Sequence, residues 1–187
     1  EIKEGGKSGI WRHPEAKDRK EAIGERINKK IAGRAAVITA SDRCFAGRTE
    51  DLSGKLLAEG LKRFGFKTSK PVIVPDEREK ISAAVLRLAK GADVVILTGG
   101  TGLSPRDITP ETVAGLCDRL IPGIGEALRA AGQAASPLSS LSRSLAGQLG
   151  KTLIICLPGS QGGVRDALAV LEEILPHAVH IAKEGTH

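Results

Sequence analysis

Four short apolar runs divide the chain: AAVITA at 35–40, PVIV at 71–74, the stretch from Asp93 to Thr98, and TLIICL at 152–157. A strand with one wet face alternates polar and apolar residues, so uninterrupted runs of this length predict strands covered on both faces. Amphipathic segments lie between them. Leu57, Leu61 and Phe64 share one face of a helix from about Asp51 to Phe64, which Gly65 ends. Ile81, Val85 and Leu88 repeat that spacing after Pro75-Asp76-Glu77, and Lys90-Gly91 closes the segment. Thr109 reads as a helix cap, with Pro110 at the first position and Glu111 in the first turn. Another helix, about Ile124 to Ala131, comes after Pro122-Gly123, and ASPLSSLSRS at 135–144 reads as a polar connection or cap-rich bend. Val164, Leu168, Leu171 and Leu175 stripe the last long helix. This alternation predicts an α/β fold, a three-layer α/β/α domain around a mainly parallel central sheet. Right-handed crossovers put the carboxyl end of each such strand on one edge, where open sheets bind ligands.

Residues 1–32 differ from the rest of the chain. They are charged and interrupted by Gly5, Gly6, Gly9 and Gly24, with Glu21 to Ile31 the one segment regular enough for a short helix. They read as an extension or linker ahead of a domain at 33–187. One Trp, three Phe and no Tyr leave Leu, Ile, Val and Ala to fill the core, which argues against lectin-like sandwiches and base-stacking modules. The net charge of +6 either draws in a polyphosphate or merely keeps the surface soluble. No dense basic tract or aromatic interleaving points to nucleic acid. Cys44, Cys117 and Cys156 are odd in number and widely spaced, as expected of reduced small hydrophobes rather than disulfides or a zinc knuckle. His13, His177, His180 and His187 lack a compelling ligand spacing. The chain opens without an apolar signal segment, and no apolar stretch reaches the roughly 18 residues of a membrane span, so a cytoplasmic protein without a membrane partner is expected.

The chemistry gathers in the loops that succeed the strands. In VVILTGGTG at 94–102, Gly99, Gly100 and Gly102 either turn backbone N–H groups toward an anion or make a plain tight bend. The P-loop and the dinucleotide fingerprint both fail, because Leu103-Ser104-Pro105 stands where each motif needs its closing residues. Asp107, five residues beyond the glycines, either holds Mg²⁺ against phosphate oxygens or serves as a helix-side cap or partner of Arg106. Asp76 offers a second carboxylate at a strand end; its alternative is a turn aspartate capping the helix near Glu77. Ser41, Asp42 and Arg43 form a third strand-end set, in which Arg43 either clamps phosphate or stays a surface charge. Lys55 and Arg106 are further positive candidates, and Pro158-Gly159-Ser160 completes the edge.

Taken in order, ITASDR at 38–43, Asp51-Leu52-Ser53-Gly54, Val74-Pro75-Asp76-Glu77, LTGGTGLSPRDITPE at 97–111, Pro122-Gly123-Ile124-Gly125-Glu126, Leu141-Ser142-Arg143-Ser144 and LPGS at 157–160 resemble one family. It is the molybdenum-cofactor biosynthesis family of molybdopterin adenylyltransferase and protein B, to which the G domain of gephyrin also belongs. The resemblance runs from about 34 to 182. It implies a trimer or dimer of trimers, molybdopterin binding and, in the adenylyltransferase branch, reaction with Mg-ATP to give adenylyl-molybdopterin and pyrophosphate. It further implies that Asp76 and Asp107 are the catalytic and metal-holding carboxylates, and that Gly99, Gly100, Thr101, Gly102 and Ser104 cradle phosphate. Ser41, Asp42, Arg43, Asp51, Ser53 and Gly54 would line the same pocket, with Glu126, Ser142, Arg143, Pro158, Gly159 and Ser160 at its rim. Other molybdenum-cofactor biosynthesis proteins are the implied partners, and a non-catalytic pterin-binding role is the alternative within the fold. Many relatives continue the Pro-Gly-Ser loop with proline and lysine; here Gln161-Gly162-Gly163 takes that place, which removes a phosphate donor. Separately, residues 4–11, EGGKSGIW, are similar to the closing residues of cyclic pyranopterin monophosphate synthase, as in a fused bifunctional protein.

Overall fold

The computed structural model describes residues 33–184, so the expectations for residues 1–32 lie outside the described residues. Strands β1 (Arg34–Ala40), β2 (Lys67–Thr68), β3 (Val72–Val74), β4 (Val94–Thr98), β5 (Arg119–Leu120), β6 (Ala146–Leu149) and β7 (Thr152–Leu157) form one sheet. Its order is β2-β1-β4-β7-β6-β5, with β3 also paired to β1. The pairs β1 with β2, β3 and β4, and β4 with β7, are parallel. Strand β6 runs antiparallel to both of its neighbours, β7 and β5. The helices are α1 (Asp42–Phe45), α2 (Leu52–Arg63), α3 (Arg78–Ala89), α4 (Thr109–Ala114), α5 (Pro122–Gln133) and α6 (Gln161–Glu184), with a 3₁₀ turn at Pro137–Leu141.

Two apolar cores explain the unbroken strands. Successive strand side chains point to opposite faces, so Val37, Ile96 and Ile155 enter one core while Ile38, Leu97 and Ile154 enter the other. The first core takes Leu57 and Leu61 of α2, Ile124 and Leu128 of α5, and Leu171 and Leu175 of α6. The second takes Ile81 and Val85 of α3 and Val113 of α4. The three-layer α/β/α arrangement thus follows from the strand sequence.

The differences are local. Residues 42–45 form a short helix rather than loop, because the Ser41 hydroxyl accepts from the Cys44 N–H and closes its first turn. Thr109 is the first helical residue and not the cap; Ile108 takes that position without a side-chain hydrogen bond. The Ser-rich bend is a 3₁₀ turn started by Ser136, whose hydroxyl accepts from the Leu138 N–H. Strands β2, β5 and β6 add to the four expected ones; their sequences, KT, RL and AGQL, carry little apolar pattern and are set by pairing, β2 to β1 and the other two through β6 to β7. The cysteines are free, and burial pushes the Cys117 thiol up to about 11 and the Cys156 thiol higher still. Among the described residues no helix is long and apolar enough to cross a membrane.

Candidate functional site

Because β1, β3, β4 and β7 are parallel, the turns at their carboxyl ends leave one edge of the sheet together. There they enclose a cavity of about 660 Å³ lined by, among others, Ser41, Asp42, Arg43, Asp76, Gly99, Gly100, Asp107 and Ser160. Two residues reach across it. The Asp42 N–H donates to Asp76 Oδ2 at 3.0 Å, and the Asp76 N–H returns a bond to Asp42 Oδ1 at 3.0 Å. This reciprocal pair locks the β1 and β3 turns. Arg106 donates to Asp42 Oδ2 at 2.6 Å, so it serves Asp42 and not its neighbour Asp107. The Asp107 Oδ2 accepts instead from the Ser104 N–H at 2.9 Å.

The carboxylates differ in their surroundings. The Arg106 guanidinium holds the exposed Asp42 carboxyl below its ordinary value. Burial pushes Asp76 the other way; the Asp42 N–H partly offsets this, and the charges of Asp42 and Asp107 add to the rise. Asp76 Oδ1 is buried and accepts no hydrogen bond. The helix-capping alternative for Asp76 is ruled out, since the cap of α3 is Glu77 and no side chain bonds there.

Glycines let the turns close. Gly99 has φ +99 and Gly100 φ +63, both in the left-handed region, and a Cβ on Gly99 would stand 2.2 Å from the Ala40 carbonyl. Gly159 packs over Gly99, with a hypothetical Cβ only 3.2 Å from its Cα. Beneath the cavity Asp51 caps α2, accepting from Gly54 N–H and from Thr39 Oγ1, each at 2.8 Å. Ser53 ties this end to the carbonyl of Gly159 at 2.8 Å.

A second cavity of about 610 Å³ adjoins the first across Gly159 and Ser160. Its wall includes Thr101, Gly102, Leu128, Leu138, Ser142 and Pro158.

The sequence profile described as "probable molybdopterin binding domain" matches residues 36–177. The chain belongs to this molybdopterin-binding family. It is 42% identical over 189 residues to the molybdenum cofactor biosynthesis bifunctional protein of Synechococcus elongatus, covering 99% of this chain and 57% of that protein. It is 38% identical over 149 residues to the molybdopterin adenylyltransferase of Helicobacter pylori, covering 78% of this chain and 85% of the relative. The solved molybdopterin biosynthesis enzyme MoaB from Thermus thermophilus superposes with a TM-score of 0.75 at 39% identity, over 82% of this chain and 98% of that one. The chain therefore spans little more than half of the bifunctional relative.

In this molybdopterin-binding domain most residues singled out from the motifs meet at one or both cavities. Six of them do not line either, among them Lys55 and Arg106, which pair with Glu50 and Asp42. Gly54 lies under the Asp51 cap, where a Cβ would meet the Asp51 carboxylate and the Thr39 hydroxyl. Ser104 sits in the turn closed by Asp107. Arg143 staples the glycine turn from behind, donating to the carbonyl of Gly102 at 2.8 Å, to the carbonyl of Asp107 and to Glu111. Glu126 is exposed on α5. Sequence reasoning misses Cys44 and Gln161 in the first cavity and Ser136, Ser139 and Asp166 in the second. The Ser-Pro pair at 136–137 is the available signal for the second wall, because it starts the 3₁₀ turn that forms it. Among the described residues no cluster of three or more His, Cys, Asp or Glu is arranged to hold a metal.

Proposed function

We propose that this domain transfers the adenylyl group of Mg-ATP to molybdopterin, releasing pyrophosphate. The observation that carries the reading is the meeting of Asp76, Asp107 and the Gly99-Gly100 turn at one cavity, in a chain similar to a named adenylyltransferase. An oxygen of the molybdopterin phosphate forms the new bond to the α-phosphorus, and the bond from that phosphorus to the bridging oxygen of pyrophosphate breaks. A phosphate nucleophile is already ionised near neutral pH, so the site needs no strong base. Its task is to hold two anions in line.

Magnesium fits the residues present. Asp76 and Asp107 line the same cavity, and Asp76 is partly buried and repelled by Asp42 and Asp107, so the group is short of positive charge. Mg²⁺ binds through one or two carboxylates together with substrate phosphates, so a closed three-ligand protein cage is not required. Asp107 and Asp76 would hold it, and it would supply charge neutralisation at the transferring phosphate. The two cavities divide the substrates: the carboxylate-lined one suits the metal-bound triphosphate, and the more apolar one, with Ser136, Ser139 and Ser142, suits a flat pterin.

A non-catalytic pterin-binding role has its own support. The cationic groups Lys55, Arg106 and Arg143 are each engaged by Glu50, Asp42 and Glu111, and Gln161 stands where many relatives carry proline ahead of a lysine. Incubation with molybdopterin, ATP and Mg²⁺ separates the readings. Adenylyl-molybdopterin that disappears in folded Asp76→Ala and Asp107→Ala variants supports the transferase; tight pterin binding without product supports the carrier.

The same proposal extends to assembly. The similarity to a bifunctional relative covers 99% of this chain, which supports a fused arrangement with a cyclic pyranopterin monophosphate synthase-like part. Leu103, Leu138 and Leu141 are exposed by 67%, 70% and 53%, which suits a homotrimer or homohexamer. A strictly monomeric mass by sedimentation at micromolar concentration would remove that part. A supply of ATP and of molybdopterin from other molybdenum-cofactor biosynthesis proteins suits a cytoplasmic location.

A further inference from the structure

Thr109 is fully buried at the start of α4, and its hydroxyl has no hydrogen-bond partner. Four other buried threonines behave differently. Thr39 bonds Asp51, Thr98 the carbonyl of Pro158, Thr112 the carbonyl of Ile108, and Thr152 the carbonyls of Ala89 and Ala92. Buried polar atoms without partners are rare in native proteins, and each calls for a physical reason.

The other such side-chain atom among the described residues is Asp76 Oδ1. Both lie about the same point. A Cβ on Gly100 would stand 2.3 Å from Thr109 Oγ1 and 3.2 Å from Asp76 Oδ1. One atom is a donor without an acceptor, and the other an acceptor without a donor. The backbone holds them in register, because the Thr109 N–H donates to the Gly100 carbonyl at 3.1 Å. A small side-chain rotation, or one shared water, satisfies both at once. Only glycine leaves room beside both atoms, and its φ of +63 is also one that side chains rarely adopt.

We propose that Thr109 is a positioning residue for Asp76: its hydroxyl donates to Oδ1, directly or through one water, and so keeps the other carboxylate oxygen toward the cavity. Asp76 Oδ2 is already fixed from the β1 side by the Asp42 N–H. With Oδ1 held by Thr109, the carboxylate cannot turn away from a bound cation and phosphate. This assignment rests on the adenylyl-transfer reading for its catalytic consequence.

The test uses Thr109→Val, which keeps the shape and loses the hydroxyl, and Thr109→Ser, which keeps the hydroxyl. In the full chain Val should lower kcat for adenylyl transfer about tenfold to a hundredfold, with the KM for ATP changed by less than about threefold and Ser restoring most of the rate. Thermal unfolding without substrate gives an independent readout. Thr109→Val should lower Tm when Asp76 is present and should no longer do so in Asp76→Ala, because residues that bond to one another are not additive. A Val variant with wild-type kcat, a Ser variant no better than Val, or additive Tm changes would overturn the assignment. A wild-type chain that makes no product would overturn the transferase reading, while the unfolding cycle still decides the pairing of Thr109 with Asp76.

Discussion

At the residue scale the site depends on groups held against their preferences. Asp76 keeps its proton to higher pH in the folded protein than in the unfolded chain, because it is partly buried and faces other carboxylates. In the window just above the ordinary value of 3.8 the folded state therefore binds more protons, and stability falls as pH rises through it. Asp76→Asn should flatten that slope, which urea midpoints measured across the acidic range would show; an unchanged slope would mean that Asp76 titrates normally. Gly54→Ala is a second case. Its Cβ would stand 2.3 Å from Asp51 Oδ2 and 2.4 Å from Thr39 Oγ1, so a loss of about 1–3 kcal/mol is expected in denaturant unfolding. The motif signalled that Gly54 mattered. The reason, a buried cap beneath the cavity, needed the third dimension.

At the element scale, caps and turns join the site to the helices. Asp51 both starts α2 and bonds Thr39 of β1. Asp51→Ala should cost about 2 kcal/mol or more, since it removes a helix cap and leaves a buried hydroxyl without its acceptor. Asp51→Asn, which retains an acceptor, should recover part of that in the same urea titration. The long strands and helices were legible because their spacing repeats: Leu57 and Leu61 on α2, and Val164, Leu168, Leu171 and Leu175 on α6. Short pieces carry no such period. Residues 42–45, 119–120 and 146–149 are ordered by a single cap or by neighbouring strands, so propensity alone does not distinguish them from loop.

At the scale of the whole molecule, two cores cover the sheet and set where its carboxyl edge lies. Leu171 is fully buried in the core shared by α2, α5 and α6, and Leu171→Ala should cost about 2–5 kcal/mol by thermal or urea unfolding. A loss well under about 1 kcal/mol would mean that α6 is not packed as described. The sequence by itself determined the parallel, doubly covered sheet and the family, because unbroken apolar runs and ordered loop motifs are properties of neighbouring residues. It also nominated Asp76 and Asp107. Only the tertiary structure decided which side chains come together: that Arg106 serves Asp42, that Arg143 staples the glycine turn from behind, and that the Thr109 hydroxyl and an Asp76 oxygen both stand beside Gly100. The reason is geometric, since these partners come from different loops and their distances are set by how strands pack, which no local pattern records.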